Sequence, residues 1–290
     1  MTDDQSEPIF TDLRPRLIRL AYRMLGSVAD AEDVVQDAWV RWLAVDKETV
    51  REPAALLRTI VTRLCLNELK SARRRRETYI GPWLPEPIFD PEDTDAADDV
   101  TLPLMLALER LSPLERATFL LHDVFGMEFD VVAEAIGREP ATCRKLASRA
   151  RAHIHEAHPR FALGKEEALR FAEAFFTASR TGDMAALRGL LAEEVVAYAD
   201  GGGKVPATLE PLVGIEAVIV RHTEMAVAFV DSPSRLIRYV LIDGLPGFIT
   251  IEGGHVVQTT ALHIDAGKIV GIYVTRNPDK LRGVTADLIH

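Results

Sequence analysis

Cysteine is nearly absent: the chain has two, Cys65 and Cys143, far apart and each inside a stretch of apolar periodicity. Two isolated thiols exclude a disulfide framework, and no Cys/His spacing matches a zinc site, so the expectation is two reduced, buried thiols and no metal. Long apolar runs are lacking too. None approaches the length of a membrane span, and the opening MTDDQSEPIF is acidic without a hydrophobic segment. That predicts no signal peptide, no membrane association and a cytoplasmic location. Positive charge is the third scarcity: 34 Lys and Arg stand against 44 Asp and Glu, a net charge of −10. Summed over the whole chain, this balance argues against a nucleic-acid binder. Apolar residues, by contrast, are plentiful. At 48% of 290 residues they suffice for two or three cored units.

A map of the charge changes its meaning. Residues 1–76 carry 14 basic and 12 acidic side chains, whereas 77–100 carry none and 8. Residues 101–164 balance at 8 and 8, and 165–290 carry 12 and 16. The acidity is thus concentrated in a short Pro-rich stretch, GPWLPEPIFDPEDTDAADD, which has the composition of a linker and is separated from Arg73-Arg74-Arg75-Arg76 by four residues.

The two halves differ in periodicity. Up to about residue 159 apolar residues recur at three and four, as in Ala31, Val34, Val35, Ala38 and Trp42. After Lys165 two helices are expected, Glu166–Ser179 and Met184–Leu191, and another over Ile215–Val227. Strands are expected at Glu194–Tyr198, Leu236–Ile242, Phe248–Ile251, Val256–Ile264 and Ile269–Thr275. The expected fold class is therefore multidomain. Two all-α modules, 1–77 and 101–162, flank the linker 78–100, and an α+β domain spans 163–290.

Three helical segments carry chemistry. On the first, Asp30, Asp33 and Asp37 form an acidic ridge beside Gln36, off the apolar face. Taken by itself, such a ridge reads more readily as a solvated helix face. The second runs from Pro53 to about Arg76 and ends in four arginines, more than a helix dipole requires, so a phosphate-facing end is the better account. Asn67 and Lys70 project from similar sides of it, and an amide suits an exposed base edge. The third is a helix-turn-helix pattern. Ser112-Pro113-Leu114-Glu115 is a capping box, and its helix stops at Gly126. A short helix from Glu128 to Ile136 closes at Gly137, and a longer one spans Ala141 to about Glu156. On the longer helix Cys143, Leu146, Ala147, Ala150 and Ile154 make the expected buried stripe. Arg144, Lys145, Ser148 and Arg149 face the opposite way, which suits a major groove. His153, His155 and His158 read as exposed residues, since no acidic or Cys partner has ligand spacing.

GSVADAEDVVQDAW resembles the region 2 helix of sigma factors that docks on RNA polymerase. PAALLRTIVTRLCLNELKSARRRRE resembles the helices that melt and read the minus-ten element, and the stretch from LSPLERATFLLHD to RARAHI resembles region 4, the minus-thirty-five reader. Order and spacing are those of an extracytoplasmic-function sigma factor. WLPEP (Trp83, Leu84, Pro85, Glu86, Pro87), DGGGK (Asp200, Gly201, Gly202, Gly203, Lys204) and NPDKL (Asn277, Pro278, Asp279, Lys280, Leu281) resemble the signatures of one subgroup. That subgroup carries a fused SnoaL-like domain, a cone-shaped α+β barrel. The resemblance implies core RNA polymerase (β′ clamp and β flap) and promoter DNA as partners. Asp30, Asp33, Gln36 and Asp37 would bind polymerase. Asn67, Lys70 and Arg73, Arg74, Arg75 and Arg76 would engage the opened minus-ten region, and Arg144, Lys145, Ser148 and Arg149 the minus-thirty-five duplex. It also implies that DGGGK clasps the WLPEP linker, with NPDKL as a regulatory tail. No separate anti-sigma protein is then required.

SnoaL-like barrels include isomerases and cyclases, so an enzyme tethered to a DNA-binding module is the alternative. Asp200, His255, His263, Tyr198, Tyr239 and Tyr273 are polar enough for acid–base work but form no tight motif. No catalytic residue and no cofactor are assigned. A small-molecule ligand of this domain stays open.

Overall fold

The computed structural model describes residues 6–46, 49–89, 101–154 and 164–287, excepting the side chains of 6, 70–77 and 285–287. The acidic run 90–99 and the histidines at 155 and 158 therefore lie outside the described residues. The chain forms two compact units: 1–78 with 104–157, and 79–103 with 158–290.

The first unit is helical. α1 (Ser6–Leu25), α2 (Val28–Leu43) and α3 (Pro53–Glu77) pack on one another. The Ser27 Oγ caps α2 by accepting from the Asp30 amide at 3.2 Å, and Ala31, Val34, Val35, Ala38 and Trp42 form its buried stripe. α4 (Leu102–Glu109) precedes α5 (Pro113–Phe119), whose Ser112/Glu115 capping box is complete. The helix continues as one π turn, Leu120–Val124, and ends at Gly126, whose φ of 66° suits glycine. α6 (Phe129–Ile136) closes at Gly137 in the left-handed conformation, and α7 (Pro140–Ile154) follows. Cys143, Ala147, Ala150 and Ile154 are buried on α7. Leu146 is not. It is half-buried beside the stripe, because a step of about 100° per residue carries it past the line through Cys143 and Ala147.

Two arginines join the N-terminal three helices to the later ones. Buried Arg116 donates to the Met24 carbonyl on α1 (2.7 Å) and the Leu108 carbonyl on α4 (2.9 Å), and pairs with Glu109 at 2.7 Å. Arg63 on α3 donates to the Glu134 (2.8 Å) and Ala135 (3.2 Å) carbonyls near the end of α6. There the last carbonyls have no partner within their own helix.

The second unit is α+β. α8 (Lys165–Thr181), α9 (Met184–Leu190) and α10 (Ile215–Asp231) pack on a six-stranded sheet of order β2-β1-β6-β5-β4-β3. Its strands are β1 (Leu191–Asp200), β2 (Leu212–Val213), β3 (Arg235–Ile242), β4 (Leu245–Glu252), β5 (Val256–Asp265) and β6 (Lys268–Thr275). β1 and β6 are parallel and the remaining pairs antiparallel. Phe175 of α8, Val218 of α10, and Phe248, Leu262 and Ile272 of the sheet share one buried core. β1 and β4 extend beyond the expected 194–198 and 248–251. The added residues of β1, such as Leu191 and Asp200, pair with β6, which the local pattern does not show. A 3-10 turn, Pro278–Leu281, and α11 (Arg282–Asp287) end the described chain.

Candidate DNA- and polymerase-facing surfaces and the linker clasp

On α2 the acidic ridge is a surface feature. Asp33, Gln36 and Asp37 are exposed and Asp30 is half-buried in the first turn. Val40, one helical turn beyond Gln36 and Asp37, is 59% exposed. The acidic ridge thus adjoins an apolar spot, a combination that periodicity alone did not single out. On α3, Asn67 is exposed. Lys70 and Arg73–Arg76 continue the same helix, and their side chains lie outside the described residues.

On α7, Arg144, Lys145, Ser148 and Arg149 are all exposed, opposite the buried stripe. Arg144 is also placed by its neighbours: its guanidinium lies 5.5 Å over the Phe129 ring, and that ring stacks on His122 at 3.8 Å. A basic, polar face is thereby presented from a rigid helix.

The second unit brings three sequence motifs together around Asp200. This residue ends β1 and is fully buried. Its Oδ1 accepts from the Tyr79 hydroxyl at 2.5 Å, and its Oδ2 from the Leu84 amide at 2.9 Å and the Lys280 ammonium at 2.7 Å. The Asp200 backbone carbonyl accepts from the Arg276 and Asn277 amides. Lys280 also donates to the Leu84 carbonyl and lies 4.2 Å from the Trp83 ring centre. Asn277 donates to the Tyr79 hydroxyl at 2.7 Å. Leu84 and Pro85 are buried, Trp83 half-buried, and Lys204 pairs with Asp279 at the surface. Leu281 is buried in a small apolar cluster with Ile249. Pro278 begins the 3-10 turn that aims Lys280 inward. Burial, then the Asp200 carboxylate, raises the Tyr79 hydroxyl well above the ordinary tyrosine range, so it stays a proton donor.

The glycines of this site have steric reasons. A Cβ on Gly201 would sit 2.3 Å from the Val205 carbonyl oxygen. One on Gly202, at φ +60°, would sit 2.3 Å from the Asn277 amide nitrogen. Tyr79 and Asn277 are the contacts least visible beforehand: Tyr79 lies outside WLPEP, and nothing local marks it as a partner for a residue 121 positions away.

A separate cavity of about 80 Å3 opens between sheet and helices. Tyr198 lines it, whereas Asp200 does not, because its carboxylate is turned to Tyr79, Leu84 and Lys280. Tyr273 is buried against Tyr198 in a stacked pair, Tyr239 packs edge-on to Phe248, and His255 is exposed on a turn. His263, half-buried, has its pKa lowered by burial and does not line the cavity. None of the described residues lining the cavity is a carboxylate. Among the described residues no group of three His, Cys, Asp or Glu side chains is placed to hold a metal. No helix among them is long and apolar enough to cross a membrane. Cys65 and Cys143 are free and buried.

A helical unit with an exposed acidic ridge and a helix-turn-helix has the layout of an RNA polymerase specificity subunit, and the relatives of the chain are of that class. Residues 9–75 match the family model for sigma-70 region 2, and residues 101–154 that for sigma-70, region 4. The chain is 36% identical to the ECF RNA polymerase sigma factor SigJ of Mycobacterium tuberculosis, covering 94% of this chain and 92% of that one. It is 33% identical to the probable ECF RNA polymerase sigma factor SigI of the same species, covering 95% and 94%. The crystal structure of the Mycobacterium tuberculosis extracytoplasmic function sigma factor SigJ superposes with a TM-score of 0.76 at 32% identity, over 95% of this chain and 98% of that one. The chain belongs to the family of extracytoplasmic-function (ECF) RNA polymerase sigma factors, and it carries the C-terminal α+β domain along its whole match to SigJ.

Proposed function

We propose that this alternative sigma factor, which directs promoter-specific initiation, is regulated in cis by its C-terminal domain, and that the domain acts through the linker rather than by catalysis. The observation that carries the reading is Asp200. A fully buried carboxylate at the end of a strand has both its oxygens engaged by residues of the linker and tail, Tyr79, Leu84 and Lys280. Burying a charge in this way is costly unless each lone pair finds a donor, so the linker path and the tail are held together or lost together. Trp83 and its prolines form a stiff element with little entropy to lose on docking. The linker joins the two DNA-reading segments, so holding it sets how they present themselves to polymerase.

Asp33, Gln36 and Asp37 then face polymerase, with Asp30 at the foot of the ridge. Asn67, Lys70 and Arg73–Arg76 engage the opened minus-ten strand, and Arg144, Lys145, Ser148 and Arg149 the minus-thirty-five duplex. Regulation within one chain requires no separate anti-sigma protein.

Run-off transcription with purified core polymerase tests the proposal, comparing the full chain, a chain ending before Lys165, and Lys280→Ala. A several-fold change in promoter output in both altered chains is expected. Unchanged output from both would refute regulation in cis while leaving the sigma assignment intact.

A further inference from the structure

The cavity of the C-terminal unit is lined by three arginines from three elements: Arg180 of α8, Arg221 of α10 and Arg276 just beyond β6. Glu252, at the end of β4, is the carboxylate acting on both Arg180 and Arg276, and it pairs with Arg180 alone at 2.9 Å. Arg276 spends one nitrogen on the Pro206 carbonyl, 2.6 Å away. The Nε groups of Arg180 and Arg276 are both buried donors without an acceptor. His222, also lining the cavity, adds no charge to offset or share: burial, with Arg180 and Arg221 nearby, pushes its pKa down to about 4. Thr208, Gln258 and Thr260 add neutral polar groups, and the remaining wall is apolar or aromatic, including Phe175, Tyr198, Met225 and Ile272. Arg180 is otherwise engaged by Glu252, the Ser179 hydroxyl and the Phe176, Phe229 and Phe248 rings, and the second Glu252 oxygen is also buried without a partner, so the unmet capacity is one donor on each of Arg180 and Arg276. Two inward cations share one acid, and the third, Arg221, is half-buried at the rim, where one nitrogen meets the exposed Glu224 carboxylate at 3.3 Å.

We propose that this cavity is a binding site for a small organic carboxylate, its head group received by Arg180, Arg221 and Arg276 and its apolar part by the aromatic wall. Planar, forked guanidinium groups match a carboxylate in two-point contact. The enclosed volume of about 80 Å3 is well below the roughly 150 Å3 that admits benzene in a closed apolar cavity. The cavity therefore encloses the head group, and the body extends along the aromatic wall toward the open side. The effect of such a ligand on transcription rests on the regulation in cis proposed above; its binding does not.

Titration calorimetry of the full chain with benzoate, without polymerase, tests the site. Saturable binding is expected, at least about tenfold weaker for the neutral isostere benzamide and for inorganic phosphate. Arg276→Gln and Arg221→Gln should each weaken benzoate by about tenfold. Circular dichroism checks that Arg276→Gln folds; Arg221→Gln, at the half-buried rim, decides the matter if it does not. Absence of saturation, equal binding of benzamide, or tighter binding of phosphate than of benzoate overturns the assignment. A run-off result cannot do so, which keeps this failure separate from that of the regulatory reading.

Discussion

The ammonium of Lys280 lies 2.7 Å from the carboxylate of Asp200, and the pair is withdrawn from solvent beside the Trp83 ring. Removing one member leaves the other charged and buried, which costs about 3–5 kcal/mol in such pairs. Asp200 keeps the Tyr79 hydroxyl and the Leu84 amide, so the lower end applies to Lys280→Met. Amide hydrogen exchange should show the loss first at Leu84, whose N–H is bound to Asp200 itself. Protection at Leu84 unaffected by the substitution would mean that the segment does not depend on this pair.

Gly202 tests the same site from the steric side. An alanine there must hold a left-handed φ and displace the Asn277 amide group, which otherwise bonds Tyr79. Gly202→Ala is expected to destabilise the C-terminal unit by about 1–3 kcal/mol. Gly189→Ala, a helical position with open space around it, is the control and should be near neutral or slightly stabilising. Urea denaturation of both variants measures the difference.

Much of this architecture is legible in the chain because its signals are local. The capping box, the glycine stops at 126 and 137, and the apolar stripe of α2 each fall within one or two helical turns. The resemblance pairs the motifs at 83 and 200, but that one carboxylate also holds Tyr79 and the tail is not local, since Tyr79 and Lys280 lie 121 and 80 positions from Asp200 and meet it only in the fold. The cavity arginines are hidden for the same reason: 180, 221 and 276 lie on three elements, and each alone looks like an ordinary surface charge. Leu146 shows the limit of periodicity, which finds the face but not its edge.

His222 makes stability depend on pH. It is buried, its Nδ1 is 2.7 Å from the Ser179 hydroxyl, and its pKa falls from 6.5 to about 4. Between these values the unfolded chain holds a proton that the folded chain lacks. Stability from this group is therefore complete above pH 6.5 and is lost as pH falls toward 4, by on the order of 3 kcal/mol. His222→Asn, which preserves a group near Nδ1, should flatten that part of the curve. Denaturant midpoints of both proteins between pH 7.5 and 4.5 measure it, and parallel curves would assign the acid sensitivity elsewhere.

Arg149 is exposed on the basic face of α7. Arg149→Ala should lower run-off output about tenfold from promoters that depend on the minus-thirty-five element, as expected for a lost base or phosphate contact. The unfolding midpoint should not move, because nothing buried is removed. Equal output on such promoters would take Arg149 out of the reading face.

Arg63 bears on how the first unit reaches its promoter. Minus-ten and minus-thirty-five elements lie about 25 base pairs apart, roughly 85 Å at 3.4 Å per step. A unit of about 130 residues has a radius of gyration near 14 Å and is only about 36 Å across. With α3 and α6 joined, the two reading segments cannot occupy both elements at once, so promoter binding has to separate them. Arg63 bonds to Glu134 and Ala135 oppose that separation, together with Arg116 bonded to Met24. Arg63→Ala removes the exposed part of this link, by about 1 kcal/mol, and should shift the closed-to-open equilibrium about fivefold. Paired fluorophores at Val40 and Arg151, both exposed, would report the shift as a lower transfer efficiency in the free protein, and unlabelled Arg63→Ala should gain affinity for core polymerase in parallel. If the transfer efficiency of Arg63→Ala matched that of the parent chain, the α3–α6 bonds would not be what holds the unit closed.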